Sequence, residues 1–327
     1  MILTYTVRNQ LELSNRLADL GPISARVDVL GWFGFLLRHW IGPYLPLKFA
    51  GRRLAGLNFH GDPGQYASGQ ARFLDSDDRA YMIHLAKLAI EVQAASGASI
   101  IDRLGRIYDE IHIDEAQDLN GWDLEVVATL LKSDIQLFMV GDLRQAILNT
   151  NPRDPKNSQF KGIKVKQWFD KQANDGLLQV VHETITWRSN QIIATFADSI
   201  FPTSWGFQPT TSKHHEPCGH DGVFAVASAD AGEYLERFGP LCLRHSANSA
   251  KSLALPFVNI GVAKGDSADH VVIAPTAPMV AFMRAGTELS EAASCSLYVA
   301  VTRARHSVGF VVDDPSKLLL PIWAPGP

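Results

Sequence analysis

Two carboxylates that follow an apolar run are the residues of this chain best suited to chemistry. Ile111 and Ile113 alternate with polar residues, and Asp114 and Glu115 come directly after them. The pattern predicts a strand that ends in two acids. An Asp in that position can hold Mg²⁺ beside the phosphates of a nucleotide, and the adjacent Glu can orient or deprotonate a water. The alternative is a solvated turn that carries two acids by chance.

The next strand-like run also ends in an acid. Residues 135–140 are mostly apolar, Asp142 follows them, and Gln145 comes three residues later. A helical pattern at residues 121–133 separates the two runs, and this alternation is typical of a parallel α/β sheet. Because ligands bind at the carboxyl edge of such sheets, we expect Asp114 and Gln145 to lie at one edge. The amide of Gln145 offers a donor and an acceptor there.

Other elements predict where the chain turns. Residues 2–6 favour a strand, and residues 9–20 have the spacing of a helix. Near the C-terminus, residues 291–305 favour a helix and residues 307–314 a strand.

Three arginines and one lysine could contact an anion. Arg188, Arg303 and Arg305 lie at predicted element boundaries, and a guanidinium forks onto phosphate oxygens. Taken singly, each is more often a surface or ion-pair arginine. Lys264 and Gly265 precede a strand, and the glycine would let a backbone approach a phosphate; the alternative is a plain turn.

Taken in order, these motifs resemble those of the UvrD/Rep-type superfamily 1 DNA helicases, in their compact branch. "ILTYT" at residues 2–6 is similar to motif Ia, "VDVLGWFGFLLRH" at 27–39 to motif Ib, "IDEAQD" at 113–118 to motif II and "GDLRQAI" at 141–147 to motif III. "TWRSNQII" at 186–193 is similar to motif IV, "AKGDSADHVVI" at 263–273 to motif V and "LYVAVTRARHS" at 297–307 to motif VI. The pathway, whether DNA repair or phage defence, stays open.

The resemblance implies an α/β fold with two RecA-like P-loop NTPase domains and parallel sheets. Domain 1A is expected at residues 1–177, with a small inserted subdomain at about 42–100. Domain 2A is expected at residues 178–320, with a short insertion at about 203–255.

The resemblance also implies roles for single residues. Members of the family place ATP and Mg²⁺ between the two domains and move along single-stranded DNA. Asp114 would hold Mg²⁺ through water, and Glu115 would act on the hydrolytic water. The other ATP contacts would come from Gln145, Arg188, Lys264, Gly265, Arg303 and Arg305, with Arg303 as the finger. Tyr5, together with Trp32 or Phe33, would lie toward the DNA, where aromatic stacking tolerates any base.

One motif of the family is absent. The P-loop, G-x-x-x-x-G-K-[ST], precedes motif Ia in the family, and this chain contains no Gly-Lys dipeptide. The P-loop supplies the backbone cradle for phosphates and the lysine on the β/γ-phosphates. We therefore expect a chain truncated ahead of motif Ia, with weak or no ATPase activity. The first sheet would lack a strand, so poor solubility is expected unless a partner protein or the missing N-terminal segment covers the gap.

A different hypothesis is a non-catalytic RecA-like scaffold that binds DNA or a partner protein. It explains the missing P-loop directly. It does not explain why the acids, the glutamine and the arginines of the other motifs are all present.

Composition narrows the alternatives further. The 327 residues include three cysteines and carry a net charge of −4, which neither indicates nor excludes nucleic-acid binding. With no long apolar run and no signal-peptide pattern, a cytoplasmic protein without a membrane partner is expected. A second possible metal site consists of His214, His215, Cys218 and His220. Their irregular spacing favours a histidine-rich loop.

Overall fold

The chain forms two compact units. The computed structural model describes residues 1–21, 27–148, 151, 153–214 and 216–326. Their contacts divide the chain into Met1–Val180 and Val181–Pro327, called unit 1 and unit 2 below. All strands within the sheets of both units pair in parallel, which confirms the predicted α/β fold with parallel sheets. Among the described helices, none has the length and apolar character needed to cross a membrane.

Unit 1 is built on a four-stranded sheet. Its strands are β1 (Ile2–Thr4), β2 (Val29–Gly31), β3 (Gly56–Asn58), β4 (Arg79–Tyr81), β5 (Glu110–Ile113) and β6 (Gln136–Met139). Its α-helices are α1 (Val7–Asp19), α2 (Trp32–Phe35), α3 (Leu45–Lys48), α4 (Leu85–Ser96), α5 (Ser99–Ile107), α6 (Asp123–Leu131) and α7 (Val165–Asn174). The main sheet has the order β2-β1-β5-β6, and β3 and β4 form a separate pair.

The strand predicted at residues 2–6 is shorter in the structure. It ends at Thr4, because Thr6 caps α1 and its hydroxyl accepts a hydrogen bond from the Asn9 N–H at 3.1 Å. An N-cap residue has an extended backbone and satisfies a free amide of the first turn, so the chain leaves the sheet before Thr6. Strand β1 lies inside the sheet, with Leu3 and Thr4 buried.

A π-helix at Leu36–Ile41 continues α2 and carries much of the core of unit 1. The Gly42 N–H donates to the Leu37 carbonyl at 2.9 Å, and a Cβ at Gly42 would lie 2.7 Å from that oxygen. Position 42 therefore requires glycine. The Trp40 indole N–H donates to the Ala89 carbonyl at 3.0 Å and joins this segment to α4.

Helix α4 belongs to the core rather than to an inserted subdomain. Leu85, Leu88 and Val92 are fully buried or nearly so and pack in the same cluster as Leu3 of the main sheet. The predicted insertion at about 42–100 is therefore too long at its C-terminal end. Residues 42–84, which include β3 and β4, have little regular structure.

Strand β6 is the outer strand of the main sheet. Leu137 and Met139 pack against the core, whereas Phe138 and Val140 point to the opposite face and are 47% and 66% exposed. Phe138 stacks on His112 of β5, with ring centroids 4.9 Å apart. Parallel sheets normally bury both faces, so this edge leaves apolar surface in contact with water.

Unit 2 is built on a six-stranded sheet. Its strands are β7 (Ile185–Thr186), β8 (Thr211–Ser212), β9 (Gly222–Ala227), β10 (Leu241–Arg244), β11 (Val258–Asn259), β12 (Ala268–Ala274), β13 (Ala304–Val312) and β14 (Ile322–Trp323). Its α-helices are α8 (Gln191–Ser199), α9 (Ala231–Phe238), α10 (Ala277–Ala285) and α11 (Glu291–Val301). The sheet order is β11-β10-β12-β13-β9-β14, and β7 and β8 form a separate pair.

Two predictions for unit 2 need correction. Strands β9 and β10 are inner strands of the six-stranded sheet, so this part of the predicted insertion at about 203–255 belongs to the body of the unit. The helix predicted at residues 291–305 ends at Val301, and β13 begins at Ala304. The helix is buried on all sides from Ser294 to Val301, as expected for a helix that is apolar all round.

The open edge of β6 predicts a solubility effect. Val140→Lys places a charge on an exposed apolar edge and removes none of the core, so we expect slower aggregation and a several-fold higher soluble concentration. Light scattering during concentration of the purified chain measures this. Val262→Lys is the matched control, because Val262 is 65% exposed but lies in a turn outside the strands. Equal gains from both substitutions would contradict the assignment of the edge.

Candidate functional site

The predicted acids lie at the carboxyl edge of the main sheet of unit 1. The Asp114 N–H donates to the Leu3 carbonyl at 2.8 Å, which places Asp114 where β5 leaves the sheet beside β1. Glu115 follows in the left-handed region, at φ 54° and ψ 41°. A non-glycine residue is uncommon there, and such strain occurs most often at functional sites. Both acidic residues are half-buried.

Gln117 fixes the carboxylate of Glu115. Its Nε2 donates to that carboxylate, and its side chain is buried at 3% exposure. Its Oε1 is buried and has no hydrogen-bond partner among the described residues. A Cβ at Gly141 would lie 2.3 Å from Oε1, so the loop after β6 closes directly over this amide. Gln117 is a positioning residue that the sequence analysis missed, although it lies two residues after Glu115 in the same motif.

The loop after β6 carries Gln145 to the same edge. The Ala116 N–H donates to the Val140 carbonyl at 3.0 Å and joins the loops that follow β5 and β6. Asp142 caps the next turn, because its carboxylate accepts from the Arg144 backbone N–H at 3.0 Å and from Arg144 Nε at 3.1 Å. The Gln145 amide donates to the other oxygen of Asp142 at 3.2 Å. This edge therefore holds the two acids and the glutamine that the sequence predicted there.

The predicted DNA-facing aromatics divide between the core and the surface. Trp32 is buried at 2% exposure, and its indole N–H donates to Asp123 Oδ1 at 2.6 Å. This places Trp32 in the core, where its ring is closed to a base. Tyr5 and Phe33 are half-buried and meet edge to face with ring centroids 5.6 Å apart. Phe59, which the sequence analysis did not identify, extends the row at 5.8 Å from Phe33.

Charge beneath this row affects the Tyr5 phenol. Burial raises the pKa of Tyr5, and the carboxylates of Asp123 and Asp118 raise it further. The phenol is therefore neutral in any ordinary buffer and can act as a hydrogen-bond donor and a stacking surface.

Arg303 lies inside unit 2. It is 1% exposed, its Nε donates to the Val299 carbonyl at 3.0 Å, and its Nη1 donates to the Asp266 carbonyl at 3.2 Å. The end of α11 is thereby tied to the turn that contains Lys264 and Gly265. Gly265 has a φ of +96°, which favours glycine, and Lys264 is 9% exposed.

The other two predicted arginines lie nearer the surface of unit 2 and contact the same segment. Arg188 is exposed, and its Nη1 donates to the Thr302 carbonyl at 3.4 Å. Arg305 forms an ion pair with Asp269 at 2.8 Å and donates to the Ser267 hydroxyl at 3.0 Å. Unit 2 therefore brings the motifs around Arg188, Lys264 and Arg303 together.

A serine fixes the chain beside Arg188. Ser189 Oγ donates to the Ala304 carbonyl at 2.6 Å, and Ser189 itself is buried at 3% exposure. The segment that carries Arg188 is thereby held against the start of β13.

His220 is directed away from the other ligand candidates of its loop. Its ring stacks on Phe238 with centroids 3.9 Å apart, and it shares a hydrogen bond with the Tyr234 hydroxyl at 2.8 Å. Burial lowers the pKa of His220 to about 4, with smaller contributions from His270 and Arg237. The ring is neutral near pH 7 and is part of an aromatic cluster. His215 lies outside the described residues.

The residues at the edge of unit 1 fit a Mg²⁺ ion. Mg²⁺ takes oxygen ligands and keeps several waters, and the half-buried residues Asp114 and Glu115 supply carboxylate oxygens at this edge. The hydroxyl of Thr4, which ends β1, is buried and has no hydrogen-bond partner among the described residues. A buried polar atom without a partner is costly and is often explained by a missing water or ion.

Comparison with known proteins gives a match to a family model and to two relatives. Residues 64–158 match the UvrD/REP helicase N-terminal domain. An ATP-dependent helicase/nuclease of Oenococcus oeni is 30% identical over 109 residues, which are 33% of this chain and 8% of that protein. The protein of the same name from Lactococcus lactis subsp. lactis is 32% identical over 117 residues, which are 36% of this chain and 9% of that protein. The chain thus spans less than a tenth of the length of these relatives.

Solved structures with similar folds share little sequence with this chain. The PRRSV helicase is 16% identical, with a TM-score of 0.44 over 97% of this chain and 47% of that one. The Arterivirus nonstructural protein 10, a helicase, is 13% identical, with a TM-score of 0.41 over 98% of this chain and 55% of that one.

The buried position of Trp32 predicts a structural role. Trp32→Phe keeps most of the ring but removes the donor to Asp123, so we expect the free energy of unfolding to fall by about 1–3 kcal/mol. Urea unfolding followed by circular dichroism measures the change. Trp187→Phe is the control, because Trp187 is 73% exposed, and we expect a change within about 0.5 kcal/mol. Equal midpoints for the two variants would contradict the structural role of the hydrogen bond.

Proposed function

The chain is UvrD-like in sequence, and on that premise we propose that it forms the body of an ATP-dependent helicase or translocase that moves on single-stranded DNA. The observation that carries the proposal is the strained Glu115, which Gln117 holds beside Asp114 and which lies at the same edge as Gln145. ATP dependence is supported by the names of the two relatives from Oenococcus oeni and Lactococcus lactis. Because the chain covers so little of them, their other activities are not carried over.

In unit 1, the carboxylates perform different tasks. Asp114 would hold Mg²⁺ through water, and the ion supplies charge neutralisation for the phosphates when it is bound. Glu115 orients or deprotonates the attacking water, and its hydrogen bond from Gln117 restricts the carboxylate to one direction. Gln145 contributes an amide that can detect the attacking water or a phosphate oxygen.

In unit 2, the guanidinium groups of Arg188 and Arg305 are near enough to the surface to meet an anionic ligand. Arg303 is proposed to stabilise charge in the transition state, as the resemblance implies. Its N–H groups donate to the Val299 and Asp266 carbonyls in this structure, so contact with a phosphate requires these bonds to open. Until then Arg303 acts as a positioning residue for the turn that carries Lys264.

DNA contact is proposed for Tyr5 and Phe33, with Phe59 beside them. The three rings form a continuous edge-to-face row, and Phe59 is 50% exposed. Bases stack on aromatic rings without sequence preference, which suits a protein that moves along a strand. Trp32 supports this row from the core instead of contacting DNA.

A non-catalytic scaffold remains the second candidate. The observation that favours it is the absence of a Gly-Lys dipeptide and hence of a P-loop from the 327 residues. Under the first proposal, the phosphate cradle must come from outside these residues, and the chain alone turns over little ATP.

Phosphate release separates the two candidates. We compare the chain with a fusion that places a G-x-x-x-x-G-K-[ST] loop and its strand ahead of β1, each with and without single-stranded DNA. DNA-stimulated release is expected from the fusion and not from the chain. Glu115→Gln in the fusion should lower the rate by about 10²–10⁴-fold, the usual contribution of a general base.

The control and the contrary outcomes follow from the same assay. Glu236→Gln is the matched control, because Glu236 is an exposed acid of α9 outside the motifs, and its rate should be unchanged. A fusion without DNA-stimulated release would favour the scaffold. Rapid release by the chain without a P-loop would contradict the assignment of the cradle.

DNA affinity tests the aromatic row separately. Phe33→Leu keeps the apolar packing but removes the aromatic face, so binding of a fluorescent oligothymidine should weaken by about 1–3 kcal/mol, the cost of losing one stacked base. Fluorescence anisotropy at fixed salt measures this. Tyr66→Leu is the control, because Tyr66 is 89% exposed and outside the row. If both variants bind DNA like the parent, the row is not the DNA contact.

A further inference from the structure

A cluster of metal-ligating side chains lies in unit 2, apart from the residues assigned above. The Cys218 Sγ, a carboxylate oxygen of Asp221 and a ring nitrogen of His306 lie within 4.8 Å of one another. Cys218 and Asp221 belong to the loop before β9, and His306 belongs to β13. The fold therefore joins residues that are far apart in the sequence.

The carboxylate of Asp221 is fixed within this cluster. One oxygen accepts from the Cys218 N–H at 2.9 Å and the Gly219 N–H at 3.2 Å. The other lies 3.0 Å from His306 Nδ1 and accepts from Asn190 Nδ2 at 3.3 Å. Burial works against ionisation, but the hydrogen bonds from Cys218, His306 and Asn190 outweigh it, so the pKa of Asp221 lies below its ordinary value.

His214 supplies a second, independent observation. Its ring meets the ring of His306 edge to face, with centroids 4.9 Å apart. Its Nε2 is buried and has no hydrogen-bond partner among the described residues. A buried ring nitrogen without a partner is costly, and a metal ion removes that cost by accepting its lone pair.

We propose that Cys218, Asp221 and His306, with His214 as the fourth ligand, bind one Zn²⁺ ion. A thiolate, imidazole nitrogens and a carboxylate are the ligands that zinc takes in tetrahedral sites, whereas Mg²⁺ would prefer oxygens alone. Binding forms the Zn–S bond as the Cys218 thiol loses its proton to solvent. His306 exchanges its hydrogen bond with Asp221 for coordination. A set of four protein ligands predicts a structural zinc ion rather than a catalytic one.

The position of this site gives the ion a role. His306 directly follows Arg305, and its carbonyl accepts from Asn190 Nδ2 at 2.7 Å. Asn190 in turn lies two residues after Arg188. Zinc would tie the loop before β9 to the segments that carry Arg188 and Arg305, and would stabilise unit 2 by its differential affinity for the folded state.

Metal content tests the proposal on the whole chain. The purified protein is stripped with a chelator, loaded with Zn²⁺, desalted and measured for bound metal, and one equivalent is expected. Co²⁺ as a probe should give tetrahedral d–d bands and a thiolate-to-cobalt charge-transfer band. Cys218→Ser and His306→Gln should each weaken Zn²⁺ affinity by more than about 10–100-fold, since losing even an outer-shell partner has that effect.

Controls and a second measurement keep misfolding separate from loss of the site. Glu216→Gln and His245→Gln alter residues of the same types outside the cluster and should retain one equivalent. Zn²⁺ should also slow alkylation of Cys218 in the unaltered chain, because Cys218 is exposed while Cys242 and Cys295 are buried. The proposal is overturned by a chain without stoichiometric Zn²⁺, by Cys218→Ser that keeps its affinity, or by an alkylation rate that Zn²⁺ leaves unchanged.

Discussion

The hydrogen bond from the Ala116 N–H to the Val140 carbonyl is the contact on which the candidate site of unit 1 depends. It continues the pairing of β5 and β6 beyond both strands and forces their loops to leave the sheet together. Close packing reinforces it, because Gly141 has no side chain and Gln117 fills that space. Glu115 then has no choice of direction. A larger residue at position 141 would displace the amide that holds its carboxylate.

Unit 2 uses a buried cation for a similar purpose. A guanidinium in the core is costly unless its N–H groups are satisfied, and Arg303 donates to two backbone carbonyls that belong to separate segments. Backbone carbonyls do not move independently of their segments, so the end of α11 and the turn before β12 are held in one arrangement. An anionic ligand that attracted Arg303 would release both, which links ligand contact to a local change of structure.

The sequence predicted the elements whose pattern is local. Alternation located β5 and β6, and the acids and Gln145 were expected at the edge where the structure places them. It missed α9 and β10, because a four-residue strand such as Leu241–Arg244 depends on its neighbours in the sheet. It placed Arg303 on a helix, since only the folded chain brings the Asp266 carbonyl within reach. Trp32 was read as a surface ring for the same reason: its partner, Asp123, is distant in sequence.

The strain at Glu115 helps to decide between a motor and a scaffold. A non-glycine residue in the left-handed region costs on the order of 1–3 kcal/mol and persists only where its surroundings impose it. A turn that merely connected β5 to α6 could relieve this cost with glycine or asparagine. Here the strained residue is an acid whose carboxylate is fixed by a buried amide beside a second acid. Ground-state stability alone gives no reason for that combination, whereas a carboxylate that must meet a water in one direction does. The geometry of unit 1 therefore favours hydrolysis as the chemistry for which this edge is built.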